Sequence, residues 1–262
     1  MFETVAFLAF TLAGTAGLFA MGLRDQRQAR AARARLLDDA AGAIGCPRTS
    51  LGPDGFPILT GCLADGRGVR ITLIHDTLVT RRLPQLWLSV TLADPDEQCP
   101  RIGILARPTG AEFYSAVHAM PSRFDPPPPL DPALLIRGGS ETDIRAVRMA
   151  APLLAGLFAD PKVKEAVLAP SGVRIIRQVA QGDRAAHVVL RQARYEIARV
   201  PRDLIHRSLA EADALSAIFR RPHVLQRDAE WRSVFEEESC SSQDLERNGG
   251  APIPYPSQPL SA

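Results

Sequence analysis

The chain has 262 residues, 46% of them hydrophobic and 23% charged, with a formal net charge of +2; this supplies one ordinary domain with flanking segments and enough apolar surface to order it. So small a net charge excludes the dominant basic face that a nucleic-acid binder needs, and no nucleic-acid partner is expected. Lys162 and Lys164 are the only lysines among the 31 basic residues, an arginine bias that reads as the codon usage of a GC-rich bacterial genome.

From Thr4 to Leu23, 20 consecutive residues carry no charge, and as a helix they would extend about 30 Å, the thickness of a bilayer core. Residues 1–23 are therefore expected to form a transmembrane anchor. Met1, Phe2 and Glu3 do not make the basic start of a cleavable signal peptide, so the segment is expected to be retained. Within it, Ala6, Ala9, Ala13, Gly17 and Ala20 recur at steps of three and four. They form a small-residue face on which a second helix, from a protein partner or another copy of the chain, can pack.

Arg24, Arg27, Arg30, Arg33 and Arg35 follow at once, opposed nearby only by Asp25. Such a flank stays on the cytoplasmic side, which predicts a single-pass protein of the bacterial inner membrane with its N-terminus out and its soluble part in the cytoplasm. The same arginines are candidates for contacts with anionic lipid head groups, at about 1 kcal/mol each. Residues 24–47 are expected to form a basic helical stalk, helical to about residue 41, until Gly42, Gly45 and Pro47 break it.

Residues 48–222 read as a soluble α+β domain, with a mainly antiparallel sheet and packed helices. Val69, Ile71 and Leu73 alternate with Arg70 and Thr72, and Leu86, Leu88, Val90 and Leu92 alternate with Trp87, Ser89 and Thr91, so both stretches predict strands. Asp65-Gly66 predicts a tight turn before the first of them, Pro84 a bend before the second, and Ile102 to Ala106 a further strand. Pro121 and the four prolines from Pro126 to Pro129 rule out helix and sheet, so 121–132 is expected to be a proline-rich loop.

Leu134 to Arg137 reads as a strand, and Ser140 with Asp143 as a capping box opening a helix. Its apolar stripe is Ile144, Val147, Ala151, Leu154 and Phe158, with a kink or break expected at Pro152. Asp160-Pro161 predicts a short helix carrying Val163 and Val167. Val173 to Val179 and Ala185 to Ile197 predict a second hairpin around Gln181-Gly182-Asp183. Pro201 opens a helix with Leu204, Ile205, Leu209, Ala212, Leu215 and Phe219 on one face. This segregation of strands and helices favours α+β over a wound parallel fold. Residues 223–262 form a C-terminal segment whose composition predicts disorder after about residue 236.

No residue set announces chemistry. Cys46, Cys62, Cys99 and Cys240 lack metal-ligand or C-x-x-C spacing and read as structural thiols of a reducing compartment. His75-Asp76 on a strand would point to opposite faces, and His118, His187, His206 and His223 are far apart in sequence. Gly138-Gly139-Ser140 reads as a helix cap rather than a phosphate cradle, Arg81-Arg82 as a solvated corner and Trp87 as a packing anchor. No catalytic, cofactor or metal site is assigned. The expected function is a non-catalytic interaction or accessory module at the cytoplasmic face of the membrane. The alternative is a membrane-tethered enzyme assembled only in three dimensions, recognisable by a concave pocket holding two or more ionisable side chains.

Overall fold

A computed structural model describes residues 2–77, 83–97, 99–184, 186–187 and 193–219, and the side chains of all of these except residues 2–11 and 13. The helix α1, Phe2–Ala34, is a single run of 33 residues, about 50 Å long at 1.5 Å per residue. Among the described residues, no helix is long and apolar enough to cross a membrane. The side chains of much of the expected anchor, Ala6, Ala9 and Ala13 among them, lie outside those described; Gly17 and Ala20 are exposed.

The expected helical stalk to residue 41 is shorter than predicted. Leu36, Leu37, Ala40 and Ile44 are drawn into the core, so a turn and a 3-10 helix at Asp38–Ala43 replace the last helical turns. Burial of these apolar side chains outweighs the local helix propensity. Gly45 and Pro47 then belong to a strand rather than a stalk.

Among the described residues, nine strands form one sheet: β1 Gly45–Leu51, β2 Pro57–Cys62, β3 Gly68–Asp76, β4 Gln85–Ala93, β5 Ile102–Leu105, β6 Ser122–Phe124, β7 Leu135–Gly138, β8 Val163–Ala169 and β9 Gly172–Gln181. Their order is β1-β2-β3-β4-β9-β8-β5-β7-β6, with every pair antiparallel. The α+β class with a mainly antiparallel sheet is as the alternation implied. The Asp65-Gly66 turn is present, with Gly66 at φ +92° and the Leu63 amide donating to the Arg67 carbonyl at 2.9 Å.

Register builds the core. Leu59, Ile71, Val90, Ile175, Ala166, Ile104 and Ile136 are successive partners across the sheet, and all are fully buried. Against this row pack α2, Ile144–Phe158, through Val147, Ala150 and Leu154, and α3, Arg202–Phe219, through Ile205, Leu209 and Ala212. Pro201 immediately precedes α3, as its fixed dihedral allows. The Ser140–Asp143 capping box is formed.

Four local expectations are corrected. Ser122–Phe124, inside the expected proline-rich loop 121–132, forms β6 against β7, because none of these three residues is a proline lacking a backbone donor. Val163 and Val167 lie in β8, paired on one side with β5 and on the other with β9, because a β-branched, buried stretch fits a central strand better than a short helix. Pro152 lies within α2 without ending it, its side chain exposed. Among the described residues, none of the stretch from Ala185 to Ile197 pairs with β9, whose two edges are taken by β4 and β8. Beyond one bridge, Gly182 with Tyr195, nothing of that hairpin forms among the described residues; residues 185 and 188–192 lie outside them. The C-terminal segment 223–262, with its expected disorder, also lies outside the described residues.

Candidate functional site

The arm of α1 and its attachment come first. Residues 12 and 14–32 are exposed, including large apolar side chains: Leu12 is 62% exposed, Leu18 71%, Phe19 70% and Met21 65%. At about 100° per residue these occupy about half of the helix circumference. Arg24, Arg27, Arg30 and Arg35 are exposed, whereas Arg33 is half-buried with its guanidinium 5.5 Å from the centre of the Phe56 ring. Four of the five arginines therefore face outward and one turns to the domain.

The arm is fastened where it enters. The Val200 amide donates to the Leu36 carbonyl at 2.8 Å, Arg202 Nη2 donates to the Gly42 carbonyl at 2.6 Å, and Arg199 pairs with Asp39 at 2.7 Å. Leu36 and Leu37 beneath these contacts bury against the core, and their burial, at about 1.5–3 kcal/mol per side chain, outweighs an exposed ion pair worth under about 1 kcal/mol.

Folding also gathers ionisable groups that are distant in sequence. Lys164 on β8 is 1% exposed. Its Nζ donates to the carbonyls of Ala106 and Arg107 at 2.9 and 2.8 Å and to Glu112 Oε1 at 2.7 Å. The same Glu112 oxygen accepts from the Thr109 amide and hydroxyl, both at 2.8 Å, while its other oxygen lies 3.2 Å from His118 Nε2. Burial alone would push the Glu112 carboxyl up, but the hydrogen bonds from Lys164 and Thr109 hold it well below the usual carboxylate range.

These bonds close the loop after β5 down onto the sheet face opposite the helices. Leu105, Val117, Met120 and Val167 form a second small core there, and Arg137 Nη1 secures the loop's far end by donating to the carbonyls of His118 and Met120 at 3.2 and 2.9 Å. His118 is thus an imidazole oriented by a carboxylate, and the partners just named for the trio belong to the loop or to β8. The arrangement works as a clasp.

Two further clusters hold α3 to the sheet. Arg67 reaches Asp65, Asp94 at 3.2 Å and Asp213 of α3 at 2.6 Å; burial opposes its charge, but the hydrogen bonds to Asp65 and Asp213 raise its pKa nonetheless. Arg177 of β9, fully buried, pairs with Glu211 of α3 and lies 3.7 Å from Asp160. Burial pushes the Glu211 carboxyl up, against the pull of Arg177.

Beside the first cluster is a cleft lined by Asp94, Asp96, Cys99, Gly172, Val173, Ser216 and Phe219, with a cavity volume of about 20 Å³, room for one water. It holds ionisable side chains, as the enzyme alternative requires, but not a substrate's volume. Burial, reinforced by Asp96 and Asp94, pushes the Cys99 thiol up to about 11, so it is protonated and weakly nucleophilic at neutral pH. Among the described residues, no three His, Cys, Asp or Glu side chains converge as metal ligands.

The remaining sequence candidates fall into structural places. Trp87 is 4% exposed, its ring 6.0 Å from that of Tyr114, and its Nε1 donates to Asp76. His206 lies 3.0 Å from the Arg202 guanidinium. Gly138 and Gly139 lead into the capped helix. Arg81, Arg82 and His223 lie outside the described residues. Glu112, Lys164, Arg67 and Arg177 escaped the sequence reading, although one signal was present: Lys164-Glu165 places two charges inside the apolar run from Val163 to Leu168.

His75 is packed between Phe56 and Tyr195, with both ring centres 5.5 Å away. Burial, assisted by Arg33, lowers its pKa. Its neutral form is favoured by folding, so its contribution is complete above the unfolded pKa of about 6.5 and is lost as the pH falls towards the depressed native value. Denaturant midpoints are expected to fall between pH 7.5 and 5.5 in the native chain, and to fall less in a His75→Phe variant. An equal fall in both would remove His75 as the cause.

No protein-family model and no curated protein sequence matches the chain.

Proposed function

We propose that the chain is a membrane-tethered, non-catalytic interaction or accessory module, held by α1 in the bacterial inner membrane with its N-terminus out and its α+β domain in the cytoplasm. The observation that carries this reading is the exposure of Leu12, Leu18, Phe19 and Met21 over about half of α1, in a stretch with no charged residue on the other half. An exposed apolar face on a helix with no charged side requires cover from lipid or from other helices. The uncharged run from Thr4 to Leu23 has the length of a bilayer core, and the outward-facing Arg24, Arg27, Arg30 and Arg35 give it an orientation and anionic head groups to meet. The inward-turned charge clusters and the water-sized cleft support an accessory role over catalysis. Gly17 and Ala20, exposed on α1, belong to the face proposed for a partner helix or self-association.

The test is fractionation of cells expressing the full chain beside a variant lacking residues 2–23. The full chain is expected to sediment with membranes and to resist alkaline carbonate, and the shortened chain to stay in the supernatant. Complete extraction of the full chain by carbonate would overturn the anchor. Protease added to intact spheroplasts is expected to spare the domain; digestion of the domain would overturn the orientation. Copurification of a partner by the full chain, beside one whose helix is replaced by an unrelated span, tells whether recognition resides in the helix or in the domain.

A further inference from the structure

The outer strand β1 is exposed along its whole length. Its register with β2 breaks after Gly45 pairs with Cys62 and resumes where Arg48 pairs with Thr60, leaving Cys46 and Pro47 in a bulge. Cys46 is at φ +47°, a left-handed conformation that residues with a Cβ seldom adopt. Bulges re-aim side chains out of the regular alternation, and this one sets Cys46 directly after the residue that pairs with Cys62. Cys62 points to the same place along the hairpin: its Sγ lies 3.4 Å from the point where a Cβ on Gly45, the neighbour of Cys46, would stand. Burial, and after it the neighbouring Cys46 thiol, raises the pKa of Cys62. Both cysteines are free; Cys46 is exposed and Cys62 half-buried.

We propose that Cys46 and Cys62 are a thiol–disulfide couple, a reversible redox staple across the β1–β2 hairpin that takes a small-molecule or protein disulfide as its oxidant. Accessibility sets the order of attack. The Cys46 thiolate attacks the oxidant RSSR, forming a Cys46–S–S–R mixed disulfide and releasing RS⁻, which is protonated to RSH. Cys62 then loses its proton and attacks the Cys46 sulfur, releasing the second RS⁻, again protonated to RSH. Two cysteine thiols are oxidised and one external disulfide is reduced to two thiols. The second attack is intramolecular, so proximity compensates for the smaller thiolate fraction of Cys62. The bond closes a covalent ring at the place where the arm, having passed through Ile44, joins the sheet. Cys99, in the cleft beside Asp94 and Asp96, stands apart from this pair.

The test uses the reduced full chain, oxidised with glutathione disulfide, quenched with an alkylating agent and mapped by peptide mass spectrometry. The expected product is a linked pair of peptides carrying Cys46 and Cys62, lighter than the reduced pair by two hydrogens, with Cys99 alkylated. A Cys62→Ser variant is expected to stop at the glutathione adduct on Cys46, at about tenfold or greater occupancy than in the native chain. A native chain that also stops at the adduct, or that joins Cys46 to another cysteine, overturns the proposal. Cys46→Ser supplies the reciprocal reading, independent of how well Cys62→Ser folds. Its Cys62 is expected to take up glutathione much more slowly than Cys46 does in the native chain, and equal rates overturn the assigned order of attack.

Discussion

Replacing Glu112 with alanine is expected to cost about 3–5 kcal/mol of folding stability, the usual penalty for leaving one partner of a buried ion pair without the other. Lys164 would keep the carbonyls of Ala106 and Arg107, neither of which carries a compensating charge. Thr109 would lose its acceptor and His118 its orienting carboxylate, so the loop should detach from the second core of Leu105, Val117, Met120 and Val167. Equilibrium denaturation, with proteolysis within residues 106–120 as a local probe, measures both effects. A Glu112→Leu, Lys164→Met double variant is expected to recover most of the loss, since apolar replacement of a whole buried pair is often near neutral. A single variant as stable as the native chain would refute the clasp.

The same pair makes a prediction about acid. The Glu112 carboxyl is held below its ordinary range, so folding favours its ionised form. Its contribution is full above the unfolded pKa of about 4.3 and drains away as the pH falls below that towards the native value. This window lies under that of His75. The Glu112→Leu, Lys164→Met variant should therefore lose the lower arm of the stability–pH curve and keep the upper one.

Gly172→Ala is expected to be as damaging, at about 3–5 kcal/mol, from backbone strain and a clash that side-chain repacking cannot relieve. Gly172 has φ +134°, and a Cβ there would stand 2.1 Å from the Leu92 carbonyl oxygen and 2.8 Å from the Asp94 nitrogen. Both obstacles are backbone atoms at the end of β4. Gly172 is held on two sides, paired with Ala169 in β8 and with Ala93 in β4, so relief requires separating central strands. Gly156→Ala is the matched control: it is exposed on α2, nothing lies within 4 Å of its Cβ position, and a stabilisation of about 0.5–1 kcal/mol is expected. Thermal unfolding of the two variants should move in opposite directions.

Alternation and punctuation carried much of the fold. The runs through Val69 and Leu88 became β3 and β4, Asp65-Gly66 became their preceding turn, and Pro201 stands directly before α3. Errors arose where tertiary partners decide. Val163 to Leu168 is short and apolar, and periodicity alone cannot separate a buried strand from a helix there; pairing with β5 and β9 does so. Residues 36–44 looked like a continuing stalk because propensity is local, whereas the burial of Leu36 and Leu37 is not. The clasp was hardest to see, since Glu112 and Lys164 are separated by two strands and a helix in the chain. No spacing rule joins them. The anchor proposal owes its legibility to the opposite circumstance, for its whole signal lies in consecutive residues.

The socket around Lys164 also explains a peculiarity of composition. Three acceptors converge on one nitrogen at 2.7, 2.8 and 2.9 Å, and a compact ammonium can serve all of them from a single centre. A guanidinium spreads its donors over a rigid plane and is bulkier at the tip. In a chain that otherwise uses arginine almost wherever a cation is wanted, this cage sets a size limit on its occupant, and one of the two lysines is the residue that fits inside it.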